Sequence, residues 1–398
     1  MNKLIYNMDL GARFAMGHGD ISLSRFLTNQ LQTVITCLKT KHYVASTFYI
    51  PREILEQYDV PVIYMERLVG YVAACKILKV EHSDKSIIPS EGCSYQKMFF
   101  QLLKDNLFPV PELIISSNFP CDDANIFATS LSKQYHIPKF EIEIIRNREE
   151  WNTNYIAEQY QKLNSFLALR YNKRNVYKEI VQQSNLANQR KKRIDYLRFK
   201  YPGILRTSEA FKIFTIFNDI GTINASSVLK SLLEELERRV ENYKEIKNKK
   251  IFWLGIIPLY HNSLLDEIEK KYNCTFLFEE LFYFSDILLS EKYIYQDLAK
   301  RIQDTIFFTT ESRINFLNRI IDEFKIDGVI HFSHQNCRFL PSIVPIIRKN
   351  LLMKSVPFVE LNADAVIPTL YNKERNEQNL EVFFEMINGG FEFGDSNY

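Results

Sequence analysis

From about residue 40 the chain alternates short apolar or β-branched runs with segments whose apolar residues recur at helical spacing. The runs are 42–49 (HYVASTFY), 60–64 (VPVIY), 113–116 (LIIS) and 139–145 (KFEIEII), and the stretch 94–107 has the helical period. Strands that are apolar throughout are those covered on both faces of a parallel sheet, so the pattern predicts βαβ units. From Trp151 to about Lys250 charged residues become dense. Apolar positions there fall into stripes, as at Leu229, Leu232, Leu233, Leu236 and Val240, which predicts an amphipathic helix packed internally or against a partner subunit.

The alternation resumes at 251–258 (IFWLGIIP), a buried-strand run closed by Gly255 and Pro258, with a helix predicted over 262–272. An amphipathic segment at 313–324, a turn and strand at 326–332, a helix near 346–352, a strand at 357–361 and a helix near 377–387 follow, before a tail, NGGFEFGDSNY, that reads as a frayed end. The expected fold is α/β, with two flavodoxin- or Rossmann-like domains with parallel sheets joined by a helical section. The boundaries read as 1–150, 151–248 and 249–398.

Composition narrows the function classes. Lys plus Arg number 50 against 48 Asp plus Glu, so no net field selects nucleic acid or an anionic membrane. The basic run 188–193 (NQRKKR) is then expected to be a solvated helix face or a subunit contact. Only 12 of 398 residues are Gly, and none forms a phosphate-binding loop; Gly17-His18-Gly19 lacks the third glycine of a dinucleotide fingerprint. No apolar run reaches the ~18 residues that span a bilayer, and Asp9 and Arg13 interrupt the start where a signal peptide needs an apolar core. A cytoplasmic protein is expected.

Six cysteines are spread along the chain with no compact framework, so disulfides are not expected in a reducing compartment. Cys37, Cys75 and Cys274 lie within apolar patterns (VITCL, YVAACKIL, YNCTFLF), where packing is the plain reading. Cys93, Cys121 and Cys337 each stand in a loop beside a strand or a helix start, and Cys121 follows LIIS at a strand's carboxyl end, where open α/β sheets place ligands. No local Cys-x-x-Cys motif links them, so burial and thiolate chemistry both stay open. If the three converge, soft thiolates suit zinc or an iron–sulfur cluster.

Six segments, in order, resemble the 2-hydroxyacyl-CoA dehydratase and benzoyl-CoA reductase subunits, the D-component family. They are IPREILEQYDVPVIYMER, EGCSYQK, SSNFPCDD, KKIFWLGIIP, RINFLNRIIDEFKIDGVIHFSHQNC and VPFVELNAD, and the likeness spans roughly residues 40–390. The resemblance implies that Cys93, Cys121 and Cys337 ligate a 4Fe-4S cluster between the two α/β domains. It implies a paralogous or identical partner subunit and a separate ATP-hydrolysing iron–sulfur activator that delivers one low-potential electron. In dehydratase relatives that electron makes a ketyl radical anion of an acyl-CoA thioester, which expels the 2-hydroxyl group; in reductase relatives electrons enter an aromatic ring. The final helix departs from the family pattern, because Gln378 is followed by Asn379 and Leu380 instead of a Thr-Arg pair. The chain also has no adjacent Cys-Cys pair of the kind carried by the family's double-cubane members.

Other polar residues complete the expectation. Ser94 and Tyr95 offer hydroxyls beside Cys93, and Ser94 is the candidate catalytic hydroxyl. His331 and His334 lie three apart on an extended segment and face opposite ways, so His334, nearer the loop, is the candidate for proton transfer or for a hydrogen bond behind the cluster ligands. Asp122 and Asp123 are expected to cap a helix, and Glu53 to complement a helix dipole. A scaffold or electron-relay subunit beside a paralogous catalytic chain is the alternative reading.

Overall fold

The computed structural model describes residues 21–75, 88–89, 91–261 and 263–389, without the side chains of 21–24. The start of the chain, the Gly17-His18-Gly19 segment and the tail beyond Gly389 lie outside the described residues. Two four-stranded, all-parallel sheets carry the molecule. The first is built from β1 (Val44–Ser46), β2 (Val62–Tyr64), β3 (Leu113–Ser117) and β4 (Lys139–Ile142), in the order β2-β1-β3-β4. The second, from β5 (Lys249–Gly255), β6 (Cys274–Glu279), β7 (Gly328–His334) and β8 (Phe358–Ala363), has the order β6-β5-β7-β8. Each chain path moves to one side of its first strand and then crosses to the other, so each sheet has a switch point beside its first strand, where α/β sheets open a crevice at the carboxyl ends. The expectation of two parallel-sheet α/β units is met.

Helices α1 (Ile21–Thr40), α2 (Arg52–Leu55), α3 (Met65–Ala74), α4 (Ser94–Lys104) and α5 (Asp122–Tyr135) belong with the first sheet. Then come α6 (Glu150–Ala168), α7 (Tyr177–Lys200), α8 (Thr207–Ile213) and α9 (Ile223–Val240). Helices α10 (Leu264–Tyr272), α11 (Ile294–Asp304), α12 (Thr310–Phe324), α13 (Val344–Met353) and α14 (Lys373–Ile387) complete the chain. The stripe predicted at 229–240 is the buried face of α9, where Leu229, Leu232 and Leu236 pack with Ala187, Ile194 and Leu197 of α7, so the stripe is satisfied internally. Among the described residues no helix is long and apolar enough to cross a membrane.

The sequential units interlock. Leu298, Ala299 and Ile302 of α11 pack into the core under the first sheet, beside Ile156 and Tyr160 of α6. Val366 and Ile367, just past β8, enter the other core of that sheet. Three sequence expectations are modified by the structure. Glu53 stands in the first turn of α2 as expected, but that helix is a single turn, and the carboxylate's main partners lie elsewhere: it accepts from Ser184 at 2.8 Å and pairs with Arg301 at 2.6 Å. The run 188–193 is not a solvated face throughout, because Lys191 is fully buried against Asp195 at 2.5 Å and amid the rings of Phe282, Tyr283 and Phe284. Asp122 and Asp123 stand in the first turn of α5, and its N-cap is Cys121.

Candidate functional site

The carboxyl ends of the two sheets border a cavity of about 610 Å³, and Cys93, Cys121 and Cys337 all line it. Three local structures deliver them. Cys93 is the N-cap of α4, and its carbonyl accepts from Gln96 and Lys97 at 3.1 Å each. Cys121 is the N-cap of α5, four residues past β3. Cys337 sits in the turn after β7, where Asn336 takes φ 62°, a left-handed conformation that Asn tolerates well. Because β3 and β7 are the third strands of two sheets with the same order, Cys121 and Cys337 occupy equivalent places in the two halves.

The three thiols share an electrostatic setting. Burial pushes each above the ordinary thiol range, Cys121 to about 12, and the Cys337 charge raises both Cys93 and Cys121 further. Opposing this, nearby backbone N–H groups favour the charged form of each sulfur: Tyr95 for Cys93, Asp123 and Ala124 for Cys121, Leu340 and Phe339 for Cys337. Leu340 N–H donates to Cys337 Sγ at 3.4 Å. Such N–H groups favour the thiolate and set the potential of any iron bound to it. Cys37 and Cys274 are buried in apolar cores. Cys75 reaches the same cavity from the end of α3. All six cysteines are free, and no group of three or more His, Cys, Asp or Glu among the described residues is gathered closely enough for a single metal ion.

Behind the sulfurs lies a buried polar chain. His334 Nδ1 accepts from the Ala365 N–H at 3.0 Å, which leaves the proton of the neutral ring on Nε2. That nitrogen is 3.8 Å from Cys93 Sγ and 3.4 Å from Ser94 Oγ. Burial lowers the His334 pKa, with Asp364 acting the other way, so the ring is neutral. Ser94 is buried, does not line the cavity, and donates its proton to Asp364 Oδ2, so its hydroxyl supports His334 and does not face a ligand. Asp364 Oδ1 accepts from Val366 N–H at 2.8 Å and Ile367 N–H at 2.7 Å. His331, as the alternation requires, faces away: its Nδ1 meets Ser333 Oγ at 2.9 Å, and Ser333 donates to Glu360.

Several residues of the site escaped the sequence reading. Asp364 ends the segment VPFVELNAD, and its position as the first residue past a buried strand is a usable signal. Glu66 and Arg67 line the cavity with no sequence sign that they do so. Burial lifts the Glu66 carboxyl to about 7, partly offset by the N–H groups of Glu66 and Phe48, and its Oε2 is buried without a hydrogen-bond partner. Arg67 is committed to Asp219 at 2.8 Å and lies over the Tyr64 ring.

No curated protein matches the chain. A family model does: 2-hydroxyglutaryl-CoA dehydratase, D-component, aligns with residues 47–387, a stretch that contains both sheets apart from the short strand β1. Cys93, Cys121 and Cys337, with His334 and Asp364 behind them, fall within it. With most of its length and the whole of this site inside that match, the chain belongs to the 2-hydroxyglutaryl-CoA dehydratase D-component family.

Proposed function

We propose that the chain is the catalytic subunit of a 2-hydroxyacyl-CoA dehydratase-type enzyme, in which Cys93, Cys121 and Cys337 hold a 4Fe-4S cluster. The observation that carries this reading is the convergence of these three thiols on one cavity at the carboxyl ends of the two sheets. Three cysteines leave one iron open to a substrate oxygen. Such a group supplies one-electron chemistry at low potential, fed here by a separate ATP-dependent activator protein, with a paralogous or identical subunit as partner.

The chain's own residues then bind and orient. His334, neutral and with its proton on Nε2, donates toward Cys93 Sγ and holds a proton at the edge of the cavity. Ser94 and Asp364 fix the ring's position. The apolar walls exclude water, which would preserve a substrate ketyl radical anion while the 2-hydroxyl group leaves as hydroxide, a proton is lost from the neighbouring carbon and the added electron is given up again to release the enoyl thioester. An open cavity against the sulfurs favours catalysis over a scaffold role.

Iron and acid-labile sulfide are to be measured on chain purified without oxygen, beside Cys121→Ala and Cys274→Ala. About four irons per chain, lost with Cys121→Ala and kept with Cys274→Ala, is the expected result. An anaerobic chain without iron would overturn the cluster.

A further inference from the structure

The family description names a substrate with two carboxylates, one in the thioester and one free at the far end of the acyl chain. A site built for it needs a cation or several N–H donors for the free carboxylate, because an isolated carboxylate in an apolar surround is costly unless paired. The cavity of this chain offers the opposite. Its walls include Phe48, Tyr71, Phe119, Phe214 and Phe339. Among the described residues, four with formal charge line it: Glu66, Arg67, Lys212 and Asp266.

Of the two cations, Arg67 is buried and already bound to Asp219, which also accepts from Gln30 at 2.7 Å. Lys212 is exposed, at the mouth. Asp266 is also at the surface and pairs with Arg206 at 2.5 Å. That leaves Glu66 as the charge-bearing group on the inner wall with no cation beside it among the described residues, since its Oε2 has no partner. Glu66 also lies close enough to Tyr95, next to Cys93, for its charge to act on the Tyr95 hydroxyl. A second carboxylate carried into this cavity would meet an acid and aromatic faces.

Resting on the acyl thioester reading above, we infer that the acyl group taken by this cavity is bulky, apolar and uncharged, of aromatic size, and that Glu66 turns away acyl chains ending in a second carboxylate. Aromatic walls give such a group both buried area and edge-to-face contacts.

The test is calorimetric titration of the full chain, purified without oxygen, at pH 8. The probes are 3-phenylpropanoyl-CoA, glutaryl-CoA, CoA alone and the two free acids, none of which carries a 2-hydroxyl group to react. The expected result is at least tenfold tighter binding of 3-phenylpropanoyl-CoA than of glutaryl-CoA, with glutaryl-CoA gaining severalfold in Glu66→Gln. Should that variant not fold, Glu66→Ala takes its place, and the wild-type ratio stands by itself. Equal binding of the two thioesters, or of CoA alone, overturns the inference and leaves the thioester reading in place. A wild-type preference unmoved by either Glu66 variant overturns the role of Glu66. Binding of free 3-phenylpropanoate over glutarate, with no thioester bound, overturns the thioester reading and keeps the apolar selection; binding of no probe overturns both.

Discussion

Replacing Asp364 removes a carboxylate that holds two halves of the molecule in register. Its Oδ1 takes the N–H groups of Val366 and Ile367, and its Oδ2 takes the Ser94 hydroxyl from α4 of the first half. Val366 and Ile367 are core residues of the first sheet although they follow the last strand of the second. In Asp364→Ala the two N–H groups and the hydroxyl are left without an acceptor in a fully buried place. At about 1–3 kcal/mol for each of the three stranded donors, the loss is about 3–9 kcal/mol. Asp364→Asn keeps the carbonyl for both N–H groups and turns its amide toward Ser94, which accepts in place of donating, so the loss falls to about 1–2 kcal/mol. Urea unfolding measures the difference through the chain's two tryptophans, since Trp253 is fully buried in β5 while Trp151 is half exposed. Equal midpoints for the Ala and Asn variants, both near wild type, would refute the argument that this carboxylate's acceptor bonds hold the turn.

Other perturbations test separate features. Glu279→Ala strands the buried Arg198, bound through two contacts of 2.9 Å, and is expected to cost about 3–5 kcal/mol in urea unfolding, whereas Arg198→Met with Glu279→Leu recovers most of it. Gly255 has φ +79°, and a Cβ there would stand 2.4 Å from the Phe332 carbonyl oxygen, so Gly255→Ala is expected to lose 2 kcal/mol or more (about 1–2 from the backbone conformation alone); a loss below 0.5 kcal/mol refutes the close approach. His331 is held neutral by burial and by Arg313, with its pKa lowered to about 3. The unfolded chain therefore takes up a proton below about pH 6.5 that the native chain refuses, so stability falls as pH drops from 6.5 toward 3, and His331→Asn flattens that part of a stability-against-pH curve.

Much of the architecture was legible because apolar runs in strand lengths report burial on both faces. The strand 328–334 and the helix 310–324 follow their periods closely, and the sheet order, a matter of long-range pairing, left no trace in any local pattern. Strand β6 was harder to read, since CTFLFE ends on Glu279 and runs into Glu280, which locally resemble the start of a solvated turn. Both carboxylates are in fact fully buried, and the arginines that make this tolerable, Arg198 and Arg313, lie 81 and 33 residues away. The three loop cysteines stood out by their position beside strand and helix ends. Ser94 was legible as a neighbour but not in its role, which depends on Asp364, 270 residues distant.

The charges buried between elements bear on how anything reaches the cavity. Glu53 in the first half is tied to Ser184 of α7 and Arg301 of α11, while Glu279 and Glu280 at the end of β6 are tied to α7 and α12. Prising the first sheet away from α7 and α11 would break the buried Glu53–Arg301 pair and its bond to Ser184, a loss that opposes such an excursion. Entry is then governed by side chains at the mouth and not by a clamshell movement, so uptake should follow simple one-step kinetics, linear in ligand concentration, with no slow isomerisation at saturation.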